Sequence, residues 1–222
     1  MTTATFSDNP QFPSATAEVY IPDQLIAGNL KLVTENITVA SGLVQRGTPL
    51  GVVTIGPATA TPGANTGNGT ISPVAILKGA KVGAYAVVAT SATVFSVFDP
   101  TGARLKDAAT GVAYADQIQF TITAGTTAFA AGDSFNVAVA AGSGSYIPSV
   151  ATAIDGSQNP VGILVDLTDA TVAPVNAGIY LMGEFNANAV ALVMDASWTT
   201  ATLKAAMPKG IFLKSVISGT PV

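Results

Sequence analysis

Residues 159–166, Asn-Pro-Val-Gly-Ile-Leu-Val-Asp, and 178–185, Gly-Ile-Tyr-Leu-Met-Gly-Glu-Phe, decide how this chain is read. The first is a short apolar run entered by Pro160, the pattern of a buried strand. The second alternates through Ile179, Leu181 and, past Gly183, Phe185, as a half-buried strand does. Between them Asp166–Val175 reads as a polar loop, and Ala189–Met194 carries the strand character onward. The best helix signal is Ser197–Met207: Ser and Thr are available as caps, Leu203 and Met207 share a face, and Pro208 with Gly210 stops it. Ile211–Ile217 reads as a closing strand.

Upstream, the same character appears before residue 56. Leu30, Leu32, Ile37 and Val39 fall at period-2 positions, and Arg46-Gly-Thr-Pro-Leu-Gly-Val-Val-Thr54 is a turn feeding a β-branched run. Residues 56–70 (GPATATPGANTGNGT) are Gly, Pro, Asn, Ala and Thr and read as a linker. Beyond it, Val94–Phe98, Ile118–Ile122 and Phe135–Val139 alternate in the manner of strands, with Asp99-Pro-Thr-Gly102 a type I turn and Ala131–Asp133 another. Gly142–Ser145 closes that stretch with small residues. The expectation is a mainly β fold with one short C-terminal helix. It comprises a discontinuous core over 23–56 and 147–222, interrupted by an inserted, sandwich-like all-β domain over 57–146 with flexible flanks. Residues 1–22, with Pro10, Pro13 and Pro22 opposing a helix, read as an extended N-terminal arm. Its aromatic side chains, Phe6, Phe12 and Tyr20, are the candidates for anchoring it to a partner, with a frayed terminus as the equal alternative.

Composition narrows the function. The chain has 222 residues, of which 9 are Lys or Arg and 13 are Asp or Glu, giving a net charge of −4, and it contains no His and no Cys. Absence of His removes the Ser-His-Asp relay and imidazole metal ligation; absence of Cys removes thiolate catalysis, iron–sulfur sites and disulfides. No cofactor is expected, and the chain is read as no enzyme. Its basic residues are scattered, which argues against direct nucleic-acid binding. Mean hydropathy is +0.49, yet the longest apolar runs are six residues, too short for a membrane helix, which needs about 20. The N-terminus has neither the basic start nor the apolar core of a signal peptide.

Several residues invite a chemical reading. Asp155, Asp166 and Asp169 are three carboxylates within fifteen residues, but no calcium-loop spacing joins them and each sits in turn-like sequence. Asp99, Asp107, Asp116 and Asp133 likewise read as turn residues. Gly63–Gly69 lacks the lysine that completes a phosphate loop. Trp198 reads as core packing ahead of the helix, with a sugar or partner contact as its alternative. Tyr85, Tyr114 and Tyr146 read as core or rim residues, with a carbohydrate-stacking face as theirs.

The order of Arg46–Val53, Pro160–Asp166, Gly178–Phe185, the helix and the Gly210-Ile-Phe-Leu strand resembles the head decoration proteins of tailed bacteriophages, the lambda-type capsid-stabilising or cement proteins. The resemblance covers 20–56 and 147–222; compact members lack 57–146. It implies a homotrimer on the outer surface of an expanded head, at three-fold positions, stabilising the shell against the pressure of packaged DNA. It also implies that the N-terminal arm adds as a strand to the major capsid protein. Such a protein is made in the bacterial host cytoplasm and resides in the virion, with no membrane partner. Two other readings stay open: another phage structural or surface-adhesin module, with carbohydrate binding through the insertion, and a carbohydrate-active β domain using paired aspartates.

Overall fold

A computed structural model describes residues 3–4, 17–18, 24–188 and 192–215. Two short strands, β1 (Thr3–Ala4) and β2 (Ala17–Glu18), pair antiparallel near the start of the chain. Next come β3 (Val33–Val39), β4 (Gly42–Val44) and β5 (Pro49–Val52). The middle of the chain holds β6 (Ile55–Pro62), β7 (Thr70–Ile71), β8 (Ala75–Ile76), β9 (Gly83–Ala89), β10 (Val94–Phe98), β11 (Ala108–Ala109), β12 (Ala113–Ala115), β13 (Ile118–Thr123) and β14 (Ser134–Ala141). It ends with β15 (Tyr146–Pro148), β16 (Pro160–Leu164), β17 (Thr168–Ala170), β18 (Val175–Asn186), helix α1 (Thr200–Ala206) and β19 (Ile211–Lys214). The fold is mainly β with one short C-terminal helix among the described residues, as the sequence pattern implies.

From β3 onward, strand pairing falls into two sets. β16, β5, β15, β3 and β18 hydrogen-bond in that order, and β16 also pairs with β18, so the five strands close into a ring. Closure leaves those strands no open edge. Each of the five supplies a side chain to one apolar cluster: Ile37 and Val39 from β3, Leu50 from β5, Tyr146 from β15, Leu164 from β16 and Ile179 from β18. The ribbon formed by β4 and β17 adds Val44 and Ala170 to it.

The neighbouring residues on β16 and β18, Ile163 and Tyr180, point the other way, into a second cluster with Phe185, Leu203, Ile211 and Leu213. β16 and the middle of β18 are therefore covered on two faces, which accounts for the apolar run Ile179–Met182 and corrects the half-buried reading of that strand. Helix α1 covers this second cluster with Leu203. Thr199 is its N-cap, and a capping box joins Thr199 to Thr202.

The second set, β6 to β14, forms a sandwich. One sheet has the order β11-β10-β9-β14-β6; the other is built on β13 with β12, β7 and β8. Alternate residues of β9, β10, β13 and β14 meet between the sheets, with Phe95 edge-on to Phe129 at 5.0 Å and Tyr114 stacked on Phe120 at 4.7 Å.

The structure corrects several readings. The strand character expected over Ala189–Met194 is not seen at 192–194, which lie in no strand, and 189–191 are outside the described residues. Residues 56–70 are not an unstructured linker: β6 runs through Ile55–Pro62 and pairs with β14 along its length. It is the edge strand of its sheet, where Pro57 and Pro62 are tolerated because one side needs no ladder. Its inward residues, Ala58 and Ala60, are too small to give a strong alternation signal. Likewise the loop expected over Asp166–Val175 contains β17, three residues too short to stand out.

The two sets meet at a narrow neck. Val53 N–H donates to the Ser145 carbonyl (3.0 Å), Gly142 N–H to Thr54 (2.9 Å) and Gly144 N–H to Val53 (3.0 Å). A third segment braces them: the Asp155 carbonyl accepts from both Thr54 (2.8 Å) and Ile55 (2.9 Å). A Cβ on Gly142 would lie 2.3 Å from the Val53 oxygen, so only glycine permits the crossing. The small residues at 142–145 thus serve close approach.

Candidate interaction surface

The ring has two ends, and the strand registers assign them. At one end Val39 pairs with both Val175 and Tyr146, and Tyr146 pairs with Val52, the last residue of β5 before the neck. At the other end Val33 pairs with Met182, and β18 continues to Asn186. There Leu25–Ala27 and the end of β19 meet β18. Asn186 N–H donates to the Leu25 carbonyl (2.8 Å), Ala27 N–H to Glu184 (2.9 Å) and Ala187 N–H to Lys214 (2.8 Å). The sandwich and the roots of the two terminal segments therefore sit at opposite ends of β3, separated by about 20 Å for a strand of this length.

The N-terminal root is fixed by two devices. Leu25 is buried in the second cluster, and Ile26 bridges to Phe185. Immediately after it, Gly28–Leu30 wraps the side chain of Glu184. The backbone N–H groups of Leu30 and Asn29 point at that carboxylate, and Lys214, on β19, forms an ion pair with it. The Lys214 bond is the first cause of a carboxyl pKa held below its ordinary value, and the two amides add to it. A Cβ on Gly28 would lie 1.6 Å from Glu184 Oε2, so the loop and the carboxylate occupy the same space only because residue 28 has no side chain. Phe212, on β19 beside this site, is 53% exposed.

Phe6, Phe12 and Tyr20 lie outside the described residues. Glu184, Gly28 and Lys214 are not singled out by the sequence pattern. The available signal is a lone carboxylate inside an apolar strand of a chain with only 10% charged residues.

Five of the seven aspartates singled out by the sequence have side-chain partners close by. Asp99 is buried, accepts from Thr101 N–H (2.8 Å), Thr101 Oγ1 (2.6 Å) and Ala103 N–H (2.9 Å), and pairs with Lys81 Nζ at 2.5 Å. Asp133 accepts the N–H groups of Thr66 (2.8 Å), Gly67 (2.9 Å) and Ala130 (3.0 Å). Asp155 holds Ser157, Asp169 holds Thr171, and Asp107 pairs with Arg104. No group of three or more acidic residues suited to a metal ion occurs among the described residues. No helix there is long and apolar enough to cross a membrane.

Gly67 and Gly69 are packed against Phe129, where a Cβ would collide at 2.8 Å and 2.4 Å, respectively. The tyrosines do not share a face. Tyr85 and Tyr114 are buried in the sandwich, where the Tyr114 hydroxyl has no hydrogen-bond partner among the described residues, and Tyr146 packs on the ring cluster. Trp198 packs on the second cluster and donates its Nε1–H to the Ser149 carbonyl (3.0 Å).

Comparison with known proteins gives one informative match. A family model described as bacteriophage lambda head decoration protein D matches residues 78–211. The matched stretch includes Pro160–Asp166, Gly178–Phe185 and α1. It also runs through most of the sandwich and omits Arg46–Val53. No curated protein matches significantly. Among solved structures, two crystal forms of Xanthomonas campestris FlgL align. One has 24% identity over 43% of this chain and 33% of FlgL, with a TM-score of 0.32; the other has 17% identity over 62% and 38%, with a TM-score of 0.31. The chain thus spans little more than a third of FlgL, at a similarity too low to bear on fold or function. The family model covers more than half of the chain, which belongs to the bacteriophage lambda head decoration protein D family.

Proposed function

We propose that this protein is a structural component of a phage virion that binds the outside of the expanded head and stabilises the shell against internal DNA pressure. It acts as a homotrimer at three-fold positions, without contact to nucleic acid or membrane. The observation that carries this reading is the family match through β16, β18 and α1. An orientation is part of the proposal. The end of the ring from which the terminal segments depart faces the shell, and the sandwich projects away from it.

Attachment runs through residues 1–22, which add to the major capsid protein as a strand. Backbone hydrogen bonds supply affinity, and Phe6, Phe12 and Tyr20 fill pockets. Ordering such a segment costs entropy, which a trimer offsets by presenting three linked copies at once.

The test is a protein lacking residues 2–18, mixed with expanded heads stripped of decoration and imaged. Full-length protein is expected to give saturable density at three-fold positions, and the truncated form none at the same concentration. Equal affinity of the two would refute attachment through the arm. A bare shell with the full-length protein would refute the decoration role.

A further inference from the structure

We propose that copies of this chain associate head to tail: the outer face of the β4–β17 ribbon of one copy docks against the Phe212 face of β19 on the next. This rests on the homotrimer of the decoration reading above and deepens it by naming the two surfaces. Three-fold symmetry itself demands two. A patch that matches itself pairs copies about a two-fold axis, whereas a closed ring of three needs one patch to meet a different, complementary one.

Outside the sandwich, four large apolar side chains among the described residues are more than half exposed: Leu43 at 55%, Leu167 at 58%, Val172 at 98% and Phe212 at 53%. The first three belong together. Leu43 is opposite Asp169 and Val44 opposite Thr168, so Leu167 lies on the diagonal from Leu43. Both point away from the ring, while Val44 and Ala170 fill its cluster. Val172 follows in the turn after β17. Phe212 sits apart, on a strand that pairs with β18 alone. It is level with Glu184, and Leu30 joins it there, since the Leu30 N–H faces the Glu184 carboxylate. The ribbon strands pair only with each other, so the two patches occupy separate elements and both can be engaged at once.

Charge matches one patch to the other. The ribbon side carries the carboxylates of Asp166 and Asp169 against one guanidinium, Arg46, whose Nε donates to the Val165 carbonyl. The Phe212 side carries Lys31, next to Leu30, and Lys209, just ahead of β19. Both are exposed, and neither forms an ion pair among the described residues. Glu184 is neutralised there by Lys214. Glu35 is opposite Ile179, five residues back along β18 and about 16 Å away at the rise of a strand. One apolar face is therefore net negative and the other net positive. Like faces repel and unlike faces attract, which selects head-to-tail order over self-pairing.

Four variants test this in the full-length protein, with oligomeric mass read by light scattering across a dilution series. Leu43→Ser with Leu167→Ser strips the ribbon, and Leu30→Ser with Phe212→Ser strips the other face. Each is expected to raise the concentration of half-dissociation at least about tenfold, because a few central apolar side chains dominate interface energy. Lys31→Glu with Lys209→Glu gives both faces the same sign and is expected to raise it about fivefold. Adding Asp166→Lys to that variant reverses the ribbon side as well and is expected to bring it back within about twofold of wild type.

Should the wild type assemble only on the shell, the same comparison is read as occupancy of three-fold positions on expanded heads. The inference is overturned if either stripped variant, folded by its melting temperature, assembles as wild type does. It is equally overturned if Asp166→Lys restores nothing, a result that stands even if the stripped variants do not fold, since the charge changes fall on exposed side chains. A wild type that is monomeric both in solution and on heads refutes the homotrimer reading instead.

Discussion

At the scale of single residues, the few charges are spent on holding loops. Asp99 is buried, and its ion pair with Lys81 is the first cause of a carboxyl pKa well below the ordinary range, followed by the bond from Thr101. Asp133 is lowered by the N–H groups of Ala130, Thr66 and Gly67. A carboxylate with a depressed folded-state pKa contributes stability that is present above its unfolded pKa and lost as pH falls through the folded one. Tyr85 acts at the other extreme. Burial raises its phenol pKa, so ionisation above its ordinary value favours the unfolded chain. Between these limits the sequence has no His and no Cys to titrate. Unfolding free energy from denaturant melts is therefore expected to be flat from about pH 5 to 9 and to fall steeply below about pH 4, where unfolded carboxylates take up protons. A maximum or step near pH 6 to 7 would contradict this account.

At the scale of elements, β6 is the instructive case. Its registers pair Thr59 with Ala138 and Ala60 with Val137, and Ala58 and Ala60 pack on the sandwich core while Thr59 and Thr61 are exposed. Ala60→Asp is expected to cost about 1–3 kcal/mol, because an unpaired charge is pushed towards apolar side chains. Thr59→Asp, on the open face, is expected to stay within about 0.5 kcal/mol. Equal effects in thermal melts would mean that the segment does not hold this register. Legibility in the sequence follows the same physics. β16 and β18 stand out because they carry large apolar side chains to two cores. Helix α1 stands out because Leu203 and Pro208 mark its face and its end and a Thr, Thr199, caps it. β6 does not, because Ala and Thr differ little in hydropathy and prolines suggest a break wherever edge position is unknown. The Glu184–Lys214 ion pair is illegible for another reason: the two residues lie 30 positions apart, and only the parallel pairing of β18 with β19 brings them together.

At the scale of the whole molecule, the decisive feature is that the sandwich enters and leaves the ring at one place. Ile55 and Ala141 are paired, and Gly142 N–H donates to Thr54, so the two crossings of the neck are already hydrogen-bond neighbours. Among the described residues, the buried cluster of the sandwich draws on Tyr85–Val139, and the other two clusters on Leu25–Leu50 and Ile163–Leu213. Each part thus has its own buried cluster, and we propose that each folds as a unit. Replacing Gly56–Ala140 by Asn-Gly would join Ile55 to Ala141 through a two-residue turn suited to an antiparallel pair. The shortened protein is expected to fold, with Glu184, Lys214 and the arm root untouched. It should bind expanded heads within about threefold of the full-length affinity, since sites this far apart couple weakly. On the decorated shell, the density lost should be the outermost layer, radially beyond the ring. Loss of shell binding by a folded shortened protein would place the sandwich at the capsid interface and reverse the orientation proposed for the molecule.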